Sequence, residues 1–318
     1  MANVERGCAV SLPPRNSGSR ESYQLPIVNQ LTITVLRLPT PSVTQSTRSR
    51  RKALGQHFLS SGRILNRIAA AANLTPDDLV IEIGPGAGAL TVRLLEQAGR
   101  VVAVELDPYL AATLPGRLVD ASNLTVVEAD ARQVDLASLV PAAQRYKVVA
   151  NLPYYAANHI VRRFLEADHK PILMVLTLQQ EVASAMTAAP GKMSMLSVAV
   201  QYYAHASLVC SIPATAFRPQ PKVTSAVVKL DLHSVPVVEV DDTDRFFALV
   251  RAGFSAPRKQ LRNSLGHGLA SAGAAIDPLL AEAKVDGTRR AETLDLQEWA
   301  CLYRVWTDLG RSIDSEIH

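Results

Sequence analysis

The chain has 318 residues, 48% of them hydrophobic, and balances 33 Lys plus Arg against 29 Asp plus Glu. That is enough for one large core or two smaller ones, and the formal charge of +4 with a pI near 9.0 tolerates a polyanionic partner. Cys8, Cys210 and Cys301 make neither a disulfide framework nor a zinc spacing, and no apolar run reaches the roughly 18 residues of a membrane span, so a reducing cytoplasm, no membrane and no metal are expected.

Residues 1–48 are rich in Pro, Ser, Thr and Asn, with Glu5 and Glu21 the only acids. They are predicted to form an unpacked tail, or to be an over-extended start, ahead of a transit peptide. Next, SSGRILNRIAAAANL puts Ile64, Leu65, Ile68, Ala69 and Ala72 on one helical face. DLVIEIG reads as a buried strand closed by glycine, ALTVRLLEQAG as a helix ending at Gly99, and RVVAVELD as a second strand before a helix opened by Asp107 and Pro108. NLTVVEAD, KVVANLP and PILMVLTLQ supply three more strands, and the period-two segment KVTSAVVKLDLH is expected to close the sheet at its edge. Strands alternating with helices imply βαβ units and a parallel sheet covered on both faces. From residue 236 the pattern turns helical, with Trp299 and Trp306 on the buried face of the last helix. The expected organisation is an extension over 1–48, an α/β domain over 49–235 and a small all-α domain over 236–318.

Chemistry concentrates where strands end, which is where open α/β sheets bind ligands. Gly84, Gly86 and Gly88 follow the first strand in the spacing G-x-G-x-G, not the G-x-G-x-x-G of dinucleotide sites. Glu105 ends the second strand, at the place of a ribose-binding acid, and Asp130 ends the third, where it can accept from an adenine amine, although it would also serve as a helix cap. Together these describe an adenosyl ligand without a pyrophosphate, such as S-adenosylmethionine. The fourth strand runs into NLPYY, whose amide and ring suit a flat amine-bearing base, although the tetrapeptide seen alone reads better as a strand-to-helix turn.

The segments RRKALGQHFLSS, IEIGPGAGALT, AVELDP, EADA, NLPYY, FRPQPKVTSAVVKL and FSAPRKQLRNSL, in this order, resemble the KsgA-type small-subunit ribosomal RNA adenine N6-dimethyltransferases over residues 50 to 305. The resemblance implies a Rossmann-like class I S-adenosylmethionine-dependent methyltransferase domain with a helical C-terminal domain. The implied reaction converts two adjacent adenosines near the 3′ end of 16S rRNA, in the 30S subunit, to N6,N6-dimethyladenosine. It also implies that His57, Leu59, Gly84, Glu105, Asp130 and Asn151 contact the cofactor. By the same resemblance Asn151, Leu152, Pro153 and Tyr154 form the catalytic loop, and Phe217 closes over the base opposite Tyr154. Tyr155 departs from the pattern, standing where the family usually has asparagine.

Arg50, Arg51 and Lys52, and Arg258, Lys259 and Arg262 on one predicted helix, are expected to touch RNA phosphates, against the default of solvated charge. Phe217 on general grounds is core, and His57 a solvated histidine; the resemblance alone promotes them. Three rivals stand beside this reading: an erythromycin-resistance methylase acting on 23S rRNA, a non-catalytic ribosome-assembly or transcription factor on the same scaffold, and a small-molecule methyltransferase. A monomer is expected.

Overall fold

Aliphatic runs become strands here because they are buried on both sides. The computed structural model describes residues 34–37, 57–118, 121–269 and 275–316. In chain order the elements are β1 (Thr34–Arg37), β2 (Phe58–Leu59), α1 (Gly62–Ala71), β3 (Leu79–Ile83), α2 (Thr91–Leu95), β4 (Arg100–Glu105), α3 (Pro108–Arg117) and β5 (Leu124–Glu128). There follow β6 (Tyr146–Asn151), α4 (Ala157–Glu166), β7 (Leu173–Gln179), α5 (Gln180–Met186), α6 (Met195–Tyr203), β8 (Ala204–Ile212), β9 (Phe217–Arg218) and β10 (Ser225–Leu232). After them come α7 (Thr243–Gly253), α8 (Leu261–Gly268), α9 (Ile276–Glu282) and α10 (Leu296–Glu316).

Among the described residues, eight strands form one sheet in the order β1-β5-β4-β3-β6-β7-β10-β8. The first six of these pair in parallel, and β10 is antiparallel to both neighbours. From β3 the chain steps outward through β4 and β5, then returns to place β6 on the other side of β3. That reversal leaves a crevice at the strand ends. Successive side chains of β3 face opposite ways. Leu79, Ile81 and Ile83 share a core with Ile160 and Phe164 of α4, while Val80 packs with Ile68, Leu94 and Leu114 from α1, α2 and α3. Each such fully buried aliphatic side chain contributes roughly 1.5–3 kcal/mol. A third core gathers Phe246, Val250, Leu261, Leu265, Trp299 and Leu302 from the late helices around Val198 and Tyr202 of α6.

Four expectations are corrected. The strand over Ser225–Leu232 is not the edge, because β8 pairs along its outer side; β8 was missed because AHASLVCSI mixes polar and apolar residues, as a half-exposed outer strand does. Within the supposed extension, Thr34–Arg37 pairs in parallel with β5, whose outer side offers a free ladder to a short β-branched run. The helix after the glycines is only Thr91–Leu95. Lastly, Trp299 is fully buried but Trp306 is only half-buried, with the Arg245 guanidinium 5.4 Å above its ring.

Candidate active site

The crevice at the ends of β3, β4, β5 and β6 holds a cleft of about 830 Å³. Its floor is the glycine turn after β3. Gly84 and Gly86 have φ of 70° and 59°, the left-handed region open to glycine. A Cβ on Gly86 would lie 2.8 Å from the Phe58 ring, and one on Gly84 would lie 3.6 Å from the Asn151 carbonyl, so the bare backbone of the turn abuts both other walls.

Glu105 clips this turn in place. Its Oε2 accepts from Gly86 N–H at 3.0 Å and its Oε1 from Asp107 N–H at 2.9 Å, so it orders the loop as well as facing the cleft. Burial pushes its carboxyl above the ordinary value, although those N–H groups pull the other way. Behind it lies an acid that the sequence reading overlooked. Glu82 in β3 is fully buried, and burial, with the Glu105 charge adding to it, pushes its carboxyl up to about 8. The nearby Thr91 hydroxyl eases the charge without a hydrogen bond of ordinary geometry. The signal was present: an acid inside the apolar run VIEI of a central parallel strand has no exposed face to occupy.

Asp130 sits at the opposite end of the cleft. Burial works against its charge, but the Arg132 side chain and backbone N–H outweigh it and hold the carboxyl below its ordinary value.

Asn151 ends β6, on the side of β3 away from Glu105 and Asp130. Its Nδ2 donates to the His57 carbonyl at 3.2 Å, which fixes the amide's orientation and turns Oδ1 away from that carbonyl. His57 is itself tied by its Nδ1, 2.8 Å from the Pro219 carbonyl, and its ring stacks on Tyr154 with centroids 5.9 Å apart. The Tyr154 hydroxyl lies 2.6 Å from the hydroxyl of buried Ser225. Phe217 reaches the cleft through the two-stranded β2–β9 pairing, which sets it opposite Leu59 in register.

His57, Gly84, Glu105, Asp130, Asn151, Leu152, Pro153, Tyr154 and Phe217 thus meet in one cleft. Phe217 is only 1% exposed, so core residue and wall coincide. Leu59 is the exception: it is buried in the core beside Phe217, and its neighbour Phe58 lines the cleft instead. Arg50, Arg51 and Lys52 lie outside the described residues. Arg258 and Lys259 are exposed in the turn before α8 rather than on the helix, and Arg262 pairs with Asp277 at 2.9 Å. The partner of Arg262, Asp277, sits just inside α9 and has no sequence cue. Among the described residues no cluster of three or more His, Cys, Asp or Glu is arranged for a metal, and no helix is long and apolar enough to cross a membrane.

A doubly wound sheet with a glycine turn after its first central strand and acids closing the next two defines the Rossmann-like, class I methyltransferase architecture. The chain belongs to the ribosomal RNA adenine dimethylase family, whose profile matches residues 47–301. It is 43% identical over 258 residues to the ribosomal RNA small subunit methyltransferase A of Dehalococcoides mccartyi, covering 81% of this chain and 89% of the relative. Against the protein of the same name from Pelotomaculum thermopropionicum it is 43% identical, over 82% of this chain and 93% of that one. Among solved structures, a dimethyladenosine transferase from Plasmodium falciparum matches with a TM-score of 0.68 at 25% identity, covering 80% and 98% of the two chains. The 23S rRNA methyltransferase ErmE matches with a TM-score of 0.64 at 28% identity, covering 79% and 99%.

Proposed function

We propose that this protein is an S-adenosylmethionine-dependent dimethyltransferase. Its substrate is N6 of two adjacent adenosines in the 3′-terminal hairpin loop of 16S rRNA, met in the 30S subunit during its biogenesis. The observation that carries the reading is the tethered Asn151 amide at the end of β6, in one cleft with the glycine turn, Glu105 and Asp130. The cleft suits an adenosyl ligand, because the glycines leave backbone within reach and each Glu105 oxygen keeps a second lone pair for a ribose hydroxyl. Asp130 would take the cofactor's adenine amine. When bound, the cofactor supplies an electrophilic methyl group on sulfur.

The chain's own residues then act by positioning. The target adenine must leave its stack, since N6 is out of reach within paired or stacked RNA, and loop adenines cost least to extract. Tyr154, held by His57 and Ser225, presents a ring for the base to lie on, and Phe217 borders the other side. Asn151 Oδ1 accepts one N–H of the amine, with the Leu152 carbonyl as the proposed second acceptor; this weakens conjugation into the ring and points the nitrogen lone pair along the transfer direction. As the new N–C bond forms, the amine sheds a proton to solvent. A second methyl requires cofactor exchange and room beside Asn151. In this reading residues 49–235 carry the reaction, the helices of 236–318 carry RNA contacts, and the protein works as a cytoplasmic monomer.

Identity near 43% to proteins named for the small subunit, against 28% to ErmE, favours 16S over 23S rRNA. The test is transfer of labelled methyl groups to unmethylated 30S subunits, 50S subunits and free rRNA, with the label mapped. Label confined to two adjacent adenosines of the small subunit is expected. Label in 23S rRNA would establish the large-subunit reading, and binding without label the non-catalytic one.

A further inference from the structure

Two side chains at the mouth of the cleft have no part in the reaction just derived. Arg132 turns back onto Asp130. Its backbone N–H donates to Oδ1 at 2.8 Å, its Nε lies 3.0 Å from each carboxylate oxygen, and its Nη2 lies 2.6 Å from Oδ2. The guanidinium carbon is also 5.7 Å from the centre of the Tyr155 ring, within the range of a cation–π contact. Tyr155 is 56% exposed, the Arg132 side chain 39% and the Asp130 side chain 19%. Ring and guanidinium are therefore the outer layer and the carboxylate the inner one, and all three border the cleft. The contact joins the end of β5 to the loop after β6, two walls with no hydrogen-bonded ladder between them.

We propose that Arg132 and Tyr155 form a clamp across the adenine end of the cofactor cleft and retard release of the adenosyl ligand. This rests on Asp130 being the adenine acceptor. An adenine bonded to that carboxylate lies inside the guanidinium, and it leaves only when the Arg132–Tyr155 contact opens. The contact is exposed and modest, so it delays release without trapping the ligand. Two methyl groups on one nitrogen consume two cofactor molecules, so the spent cofactor must leave between them. The clamp thus acts on the interval between transfers and not on the transfer itself.

The test measures dissociation of S-adenosylhomocysteine from the full chain, chased with excess S-adenosylmethionine, together with single-turnover methylation at saturating cofactor. Tyr155→Leu should release the ligand about two- to fivefold faster, the rate equivalent of an exposed cation–π contact, and its saturated single-turnover rate should match wild type. Tyr155→Phe, which keeps the ring, should release at the wild-type rate. Arg132→Met should release at least as fast as Tyr155→Leu, and the double variant no faster than Arg132→Met, since both remove one contact. Wild-type release from Tyr155→Leu, or equal acceleration by Tyr155→Phe, overturns the clamp and leaves the cofactor site standing. A wild-type chain that binds no S-adenosylhomocysteine removes the cofactor reading, and the clamp with it.

Discussion

Replacing Asn151 by alanine should slow methyl transfer far more than it weakens cofactor binding. The side chain has one fixed end, because Nδ2 donates to the His57 carbonyl at 3.2 Å. Its oxygen is therefore oriented before any amine arrives, and no reorganisation is needed as that amine becomes nucleophilic. Removing one such preorganised group costs on the order of 10²–10³ in rate, about 3–4 kcal/mol. Cofactor affinity should fall by no more than about tenfold, the equivalent of one neutral hydrogen bond at about 0.5–1.5 kcal/mol. Asn151→Asp keeps an acceptor but sets a carboxylate against the His57 carbonyl, so the tether is lost and the rate should fall between the other two. Single-turnover methylation of unmethylated 30S subunits at saturating cofactor measures the step, and calorimetry the affinity. An alanine variant that transfers methyl groups within threefold of wild type would refute the argument, and NLPY would then be a turn and nothing more.

Glu82 gives a pH signature. Its folded carboxyl, raised from 4.5 to about 8, ionises more readily when unfolded, so its contribution to stability is complete below about pH 4.5, declines as pH rises towards 8 and is flat above that. Glu82→Gln should remove that slope and gain on the order of a few kcal/mol at pH 8; urea melts at pH 5, 6.5 and 8 that run parallel to wild type would contradict it. Gly86→Ala must hold φ at 59° and displace the Phe58 ring 2.8 Å away, so cofactor binding should drop by tenfold or more while the fold survives, as calorimetry and circular dichroism would report. Tyr154→Phe loses the bond to Ser225, so a cost of about 0.5–1.5 kcal/mol is expected in thermal or urea unfolding; an unchanged midpoint would mean the ring is held by His57 stacking alone. Neutralising exposed Arg258 and Lys259 should flatten the salt dependence of 30S binding by about one unit of slope per phosphate contact, with cofactor affinity unchanged. A wild-type slope would make them ordinary solvated charges.

Local sequence pattern is enough to place the central strands β3 to β7 and the residues that close them. Glycines, Glu105, Asp130 and Asn151 close successive strands, and a parallel doubly wound sheet brings successive strand ends to one edge. Local pattern is enough for that, since periodicity, caps and glycine turns are written within a few residues. It was not enough for β8, whose mixed polarity reflects one face on solvent, nor for the depth of Trp306 or the partner of Arg262. How the side chains are held depends on contacts that form only once the chain has folded. Asn151 is oriented by the His57 carbonyl, Tyr154 by Ser225, Phe217 by the pairing of its strand with Phe58 and Leu59, and Arg132 by Asp130 on one side and Tyr155 on the other. Apart from Arg132 and Asp130, each of these joins segments far apart in the chain. A hydrogen-bond donor carries no mark of which distant acceptor it will meet, because that choice is made by sheet order and packing after the strands have formed.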